Sequence, residues 1–232
     1  MSTEPVIAAG AVVGTGVSFG SHVVVHGSVT IGDNVRIGDN AVLGKPPALA
    51  PGSASARAGD DNTALVIGAG AVISTAAIVF AGARIGAGSI IGDQAYVRER
   101  AVIGEHCVVG RGACVDNDVR LDDRVSIQSN VYLAAGTTVG EHSFLGPGAL
   151  TANDDTMGRN RGPEAFSAVR IGRACRIGAR AVLTPGVVIA DEAFIAAGAV
   201  VTNDVPERAV MMGVPARNVR RVADEDLLEH WR

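Results

Sequence analysis

The sequence predicts an all-β fold, a parallel β-solenoid of about nine coils. Three observations predict it. Val, Ile or Leu recurs at every sixth position along nearly the whole chain. Gly makes up 30 of 232 residues, nearly twice ordinary usage, and lacks the three-residue period of collagen. Aromatic residues are only 3%, too few for an aromatic-packed core. A repeat with a turn in every unit accounts for all three.

Counted in sixes from Ile67 to Leu145, the first position is Val, Ile or Leu fourteen times in succession. The same phase covers Ile7 to Leu43, with Phe19 as its one aromatic, and a shifted phase covers Ile171 to Val201, for 27 hexads in all. The fifth position is small or β-branched, as at Ala71, Ser89, Cys107, Val119 and Ser143. Alternate residues of a strand share a face, so the fifth and the next first residue point inward and the sixth points out. The fourth position is often Gly (Gly70, Gly88, Gly112, Gly148) or Asn, Asp or His, types that tolerate left-handed backbone angles and so make corners. Three strand-and-corner units close a coil of 18 residues, and nine coils at about 4.8 Å each make a prism roughly 43 Å long.

Two segments interrupt the period. Residues 45–66 carry Pro46, Pro47 and Pro51 among Ser, Ala and Gly, and the phase survives across them. Residues 157–170 shift the phase by two, so a loop leaves the prism there. The expected organisation is N-terminal coils over 1–44, a loop or irregular coil over 45–66 and central coils over 67–156. An external loop over 157–170, C-terminal coils over 171–206 and a tail over 207–232 follow. In the tail, acidic residues from Asp224 precede Leu227, Leu228 and Trp231 at helical spacing, which predicts a short terminal helix.

Composition excludes several function classes. A net charge of −4 without a basic stripe speaks against nucleic-acid binding. No run of 18 apolar residues predicts a membrane span. The apolar start from Val6 to Val13 lacks a basic flank and follows Glu4, so no secretory signal is expected. Three cysteines, an odd number, fit a reducing cytoplasm.

Outward positions 18 apart stack in columns. Val72, Ile90, Val108, Ser126 and Phe144 form one; Ile78, Tyr96, Cys114, Tyr132 and Leu150 a second; Arg84, Val102, Arg120 and Thr138 a third. Two faces are apolar where they should meet water, which predicts that they are covered, by loops of the same chain or by other copies in a closed three-fold ring. Cys107 and Cys175 fall on inward positions and read as small core residues. His22, His106 and His142 all fall on corners. His106 and His142 are two coils apart, roughly 10 Å, too far to share one metal ion, so no metal is expected.

The repeat resembles the hexapeptide-repeat acyltransferases, whose fold is a left-handed β-helix and whose members are trimers. The stretch from Ile127 to Arg159 resembles a branch that N-acetylates amino groups of nucleotide-linked sugars. Its Q-x-N-V run stands here as Gln128, Asn130 and Val131, and its F-[IL]-G-P and N-D runs as Phe144, Gly146, Pro147, Asn153 and Asp154. The tail from Val201 to Arg220 resembles the family's V-x-x-D-V-P and G-x-P-A-[KR] signature. Met157-Gly158-Arg159 departs from the Pro-Arg more usual in that branch. The resemblance implies a cytoplasmic homotrimer that takes acetyl-CoA as donor and a nucleotide-linked amino sugar as acceptor. It places Asn130 at the amine, His142 as the candidate base where one is needed, and Gln128, Asn153 and Asp154 against the sugar. It lays coenzyme A along Gly178, Ala179, Ala197 and Gly198, with Arg217 at a phosphate. Arg173, Arg176 and Arg180 add a local basic cluster. Alternatives are O-acetylation of a sugar hydroxyl, acylation of an amino acid, a γ-carbonic-anhydrase-like metal enzyme, and a non-catalytic β-helix protein.

Overall fold

A computed structural model describes residues 3–49, 63–159 and 166–231. Twenty-eight short strands, from Val6–Ile7 to Val200–Val201, wind into three parallel sheets that close as a left-handed β-helix. The first sheet runs through Val24, Val42, Ile78, Tyr96, Cys114, Tyr132 and Leu150, the second through Arg84, Val102, Arg120 and Thr138, and the third through Val72, Ile90, Val108, Ser126 and Phe144. The columns expected from an 18-residue coil are therefore the observed ladders.

The sheets hold ten, nine and eleven strands, the last count including two strands of the tail, so the 28 coil strands make the nine coils expected and one strand more. The repeat missed by apolar periodicity is Leu150–Thr151, where Thr fills the first position. Thr151 is buried, and its hydroxyl accepts the Ala134 N–H at 2.8 Å and lies 3.0 Å from the Thr137 hydroxyl. A polar side chain thus sits at a core position because its hydrogen bonds are satisfied internally.

The inward positions behave as the hexad requires. Ile67, Ile73, Ile91, Ile127, Leu133 and Leu145 are fully buried, as are the small fifth-position residues Ala71, Ala77 and Ala113. Burying each large side chain contributes about 1.5–3 kcal/mol. Corner residues adopt left-handed backbone angles, with φ of 58° at His22, 54° at His106, 58° at Asn130 and 59° at His142. The N–H of each of these four corners donates to a carbonyl of the preceding coil, as where Asn130 N–H donates to the Arg111 carbonyl at 2.9 Å. Ser89 and Ser143 also use their hydroxyls to bridge coils: each donates to a corner carbonyl, of Gly104 and Gly172, and accepts the N–H of Cys107 and Cys175.

Register explains both interruptions. Val42 pairs with Ile78, 36 residues on, so the first excursion consumes 18 residues, one full coil, and the phase returns. It is shorter than expected from 45–66: Lys45 still belongs to the strand Val42–Lys45, and Leu65 opens the next strand. Most of the expected loop, 50–62, lies outside the described residues. Phe144 pairs with Arg176, 32 residues on, 14 more than one coil, which produces the shift of two. This second excursion starts earlier than 157. Asp154 bridges Phe166 in antiparallel fashion, and the Ser167 N–H donates to the Asn153 carbonyl at 2.8 Å.

The tail is more ordered than its sequence suggests. Ala209–Met212 extends the third sheet beside Phe194–Ile195, and Arg217–Arg221 folds back on it antiparallel. The expected terminal helix is instead two single 3₁₀ turns, Asp224–Asp226 and Leu228–His230, with extended Leu227 between them. Docking decides this: Leu227 is buried, the Trp231 ring lies 3.6 Å from the Arg176 guanidinium, and the Glu192 carboxylate accepts the Leu228 N–H at 3.3 Å. Arg208 pairs with Asp224 at the start of the segment. One continuous helix would not present all four contacts.

Candidate active site

The corners between third-sheet and first-sheet strands form one edge of the prism. It carries Gln128-Ser129-Asn130, Gly146-Pro147-Gly148, Gly178-Ala179-Arg180 and Ala196-Ala197-Gly198 on successive coils. Asn130 and the four small residues expected along the donor therefore share an edge. A shallow groove of about 480 Å³ opens there, lined by Ser129, Asn130, Pro147, Gly148, Leu150 and Arg180.

Glycines shape this groove. A Cβ at Gly112 would lie 2.7 Å from Asn130 Oδ1, so the exposed Asn130 amide rests over the glycine one coil before it. A Cβ at Gly148 would lie 3.4 Å from Arg180 Cγ, so the Arg180 stem leans back toward Asn130. Gln128 turns away along its strand and donates to the Ser126 hydroxyl at 3.0 Å.

Asn153 and Asp154 sit elsewhere, at the mouth of the second excursion. Asn153 donates to the Ala135 carbonyl at 3.2 Å. Asp154 accepts from the Thr156 hydroxyl and the N–H groups of Thr156 and Gly158. These bonds, the Thr156 hydroxyl first, hold its carboxyl below the usual carboxylate range. His142 occupies the next edge of the prism, between second-sheet and third-sheet strands, where its carbonyl accepts from Arg176 at 2.9 Å. Within one chain His142 and Asn130 stand on different edges. Arg217 lies exposed on the tail hairpin and donates to the Ala216 carbonyl at 3.1 Å.

The basic cluster expected from Arg173, Arg176 and Arg180 does not form. Arg173 faces Glu192 at 3.6 Å, Arg176 lies under Trp231, and only Arg180 reaches the groove. Three residues in a row of turns point to three directions because a corner rotates the chain between them. Arg124 stands between His106 and His142 in their column, and among the described residues no group of three or more His, Cys, Asp or Glu is placed to hold a metal ion. Burial pushes the inward thiols up, Cys107 to about 11 and Cys175 to about 12, so neither is a poised nucleophile. Half-buried Cys114 is raised to about 11 by desolvation and by Asp116.

Sequence reasoning missed a charged corner beside the first sheet. Arg98 pairs with Glu99 at 2.8 Å and Asp116 at 2.9 Å, and Asp116 accepts the Tyr132 hydroxyl at 3.1 Å. Glu99 is only 2% exposed. The signal available was charge recurring at 18-residue spacing, Arg98 with Asp116 and Arg100 with Asp118.

Comparison with known proteins agrees with this architecture. The model described as bacterial transferase hexapeptide (six repeats) matches residues 10–45, 82–117 and 168–203, and the hexapeptide repeat of succinyl-transferase matches 100–135. Together they take in more than half of the chain. The chain belongs to the hexapeptide-repeat transferase family. It is similar to the galactoside O-acetyltransferase of Escherichia coli K12, 33% identical over 106 residues, which is 45% of this chain and 48% of that protein. A Staphylococcus aureus Mu50 protein named as an acetyltransferase is 35% identical over 116 residues, 47% of this chain and 58% of its own length. The chain thus spans about half the length of the curated relatives it matches. Among solved structures, a UDP-N-acetylglucosamine acyltransferase from Campylobacter jejuni aligns over 94% of this chain and 73% of its own, with a TM-score of 0.53 and 17% identity. That likeness concerns the fold.

Proposed function

We propose that this hexapeptide-repeat protein is an acetyl-CoA-dependent N-acetyltransferase acting on the amino group of a nucleotide-linked sugar. The observation that carries the proposal is the composition of the Asn130 groove, which offers an amide, a hydroxyl, small residues and one arginine, but no carboxylate or imidazole. Amine acylation suits such a site. A neutral amine attacks the thioester carbonyl, the C–N bond forms as the C–S bond breaks, and the leaving thiolate takes up the amine proton. Asn130 Oδ1 accepts an amine N–H and orients its lone pair, and alignment of this kind is worth several kcal/mol. Gly178, Ala179, Ala197 and Gly198 keep the edge low, so that a donor reaches their backbone groups. Arg217 would meet a coenzyme A phosphate, while Gln128, Asn153 and Asp154 would bear on the sugar.

The active unit in this reading is a homotrimer in the cytoplasm, with first-sheet and third-sheet columns buried between copies. Tyr132 and Ile90 in these columns are 42% and 40% exposed in the single chain. No helix among the described residues is long and apolar enough to cross a membrane. A second reading, O-acetylation of a sugar hydroxyl, is favoured by the galactoside O-acetyltransferase relative. A hydroxyl needs a base, and His142 would then have to come from a neighbouring copy, because in its own chain it lies on another edge.

The test is thermal protection by acetyl-CoA followed by an acceptor screen with nucleotide-linked amino sugars and their 2-, 3- and 4-hydroxy counterparts. Acetylation of amines and not of hydroxyls is expected. Transfer to hydroxyls alone selects the second reading, and a melting temperature unmoved by acetyl-CoA refutes both.

A further inference from the structure

We infer that Arg180 is an anion-binding specificity residue, holding an anionic oxygen group of the substrate beside Asn130. The inference rests on the reading of this groove as the transfer site and names what that site selects. Arg180 occupies a corner with φ of 56°, and its N–H donates to the Pro147 carbonyl at 3.0 Å, which fixes where the side chain starts. The stem then leans over Gly148 into the groove shared with Asn130.

The stacking rule of the prism explains why its charge is free. At an equivalent corner, Arg100 meets Asp118 one coil further on, Nε to Oδ1 at 2.9 Å. The residues one coil before and after Arg180 are Gly148 and Gly198, neither of which has a side chain. The groove lining contains no carboxylate, and among the described residues the Arg180 guanidinium makes no hydrogen bond or ion pair. A planar five-donor fork with no internal partner, beside the proposed acceptor position, matches phosphoryl or carboxylate oxygens. Two sources present such oxygens: a phosphoryl group on the acceptor, as in a nucleotide-linked sugar, or a carboxylate on the acyl group of the donor. Arg111 provides an internal control. It stands exposed on the same edge, one coil on the other side of Asn130, and does not line the groove.

The experiment compares the wild-type protein with Arg180→Gln and Arg111→Gln, both of which keep a long stem at the same corner segment. Binding of glucosamine 1-phosphate and of glucosamine is measured by calorimetry, and transfer to each is measured with acetyl-CoA and with succinyl-CoA. The wild type should prefer one anionic substrate by about 10- to 100-fold. Arg180→Gln should abolish that preference while Arg111→Gln retains it. A lost phosphate preference assigns the acceptor as the source; a lost succinyl preference assigns the donor. A wild type indifferent in both arms, or a preference that survives in Arg180→Gln, overturns the inference even if amine acetylation proceeds. Phosphate-dependent binding that vanishes in Arg180→Gln without any transfer supports Arg180 and sinks the proposed reaction instead.

Discussion

Replacing Asn130 by Gly separates the corner from the amide. The residue adopts φ of 58°, a region that Gly occupies without a Cβ penalty, and its N–H bond to Arg111 uses only the backbone. The substitution should cost less than about 1 kcal/mol of stability, through added freedom of the unfolded chain. Ala at the same corner would meet the left-handed penalty of about 1–2 kcal/mol, which makes it the poorer probe. The amide lies over Gly112, where no neighbouring side chain replaces it. Loss of a donor or acceptor aligned on the reacting group should lower kcat/KM for an amino-sugar acceptor by about 10²-fold or more. The KM for acetyl-CoA should hold, because the proposed donor contacts are on later coils. Steady-state kinetics in both substrates, with a urea midpoint to show intact folding, form the assay. A folded Asn130→Gly variant that transfers at the wild-type rate would reduce Asn130 to a turn residue and remove the basis for the site.

Three further outcomes follow from particular contacts. Tyr132→Arg should split the proposed trimer in light scattering while leaving the fold intact, because Tyr132 is 42% exposed and Asp116 is in reach of the new charge; a variant that stays trimeric at micromolar concentration contradicts the interface. Arg98→Met should destabilise by about 3–5 kcal/mol, because it strands Glu99, 2% exposed, without its counter-charge. The double replacement with Glu99→Leu should recover much of that loss, and equal urea midpoints for single and double variants would refute the account. Cys107 and Cys175 titrate near 11 and 12 when folded, against an ordinary 9.0. Their stabilising effect is complete below pH 9 and is lost as pH rises from 9 toward those values, so a Cys107→Ala/Cys175→Ala variant should show a flatter fall of melting temperature above pH 9. An unchanged slope would mean the thiols are not desolvated.

Much of the coil was legible because its interactions repeat. Ile127 pairs with Val109 and Leu145, each 18 residues away, and first-position residues pair in this way everywhere except across the two excursions, so one rule read from fourteen hexads places most of them. Corners were legible for the same reason: Asn130, His106 and His142 each fall on the position where the backbone turns left-handed. Thr151 escaped the rule because its place in the core depends on hydroxyl partners at Ala134 and Thr137, which an apolar period does not register.

What the sequence by itself determined is thus the repeating coil, its three columns and the edge on which Asn130 and the small residues of later coils align. Only the tertiary structure decided the tail and the surroundings of the groove. The hairpin at Ala209–Arg221 and the two 3₁₀ turns depend on docking against Phe194, Arg176 and Glu192, at separations that no period encodes. Arg173, Arg176 and Arg180 are neighbours in the chain yet point to an edge, a face and another edge, and of the three Arg180 alone lines the groove with Asn130. The physical reason is the range of the signal: period and turn chemistry report what each residue does to its own coil, while charge pairing and strap docking depend on which side chain, or which absence of one, lies on the coil above and below.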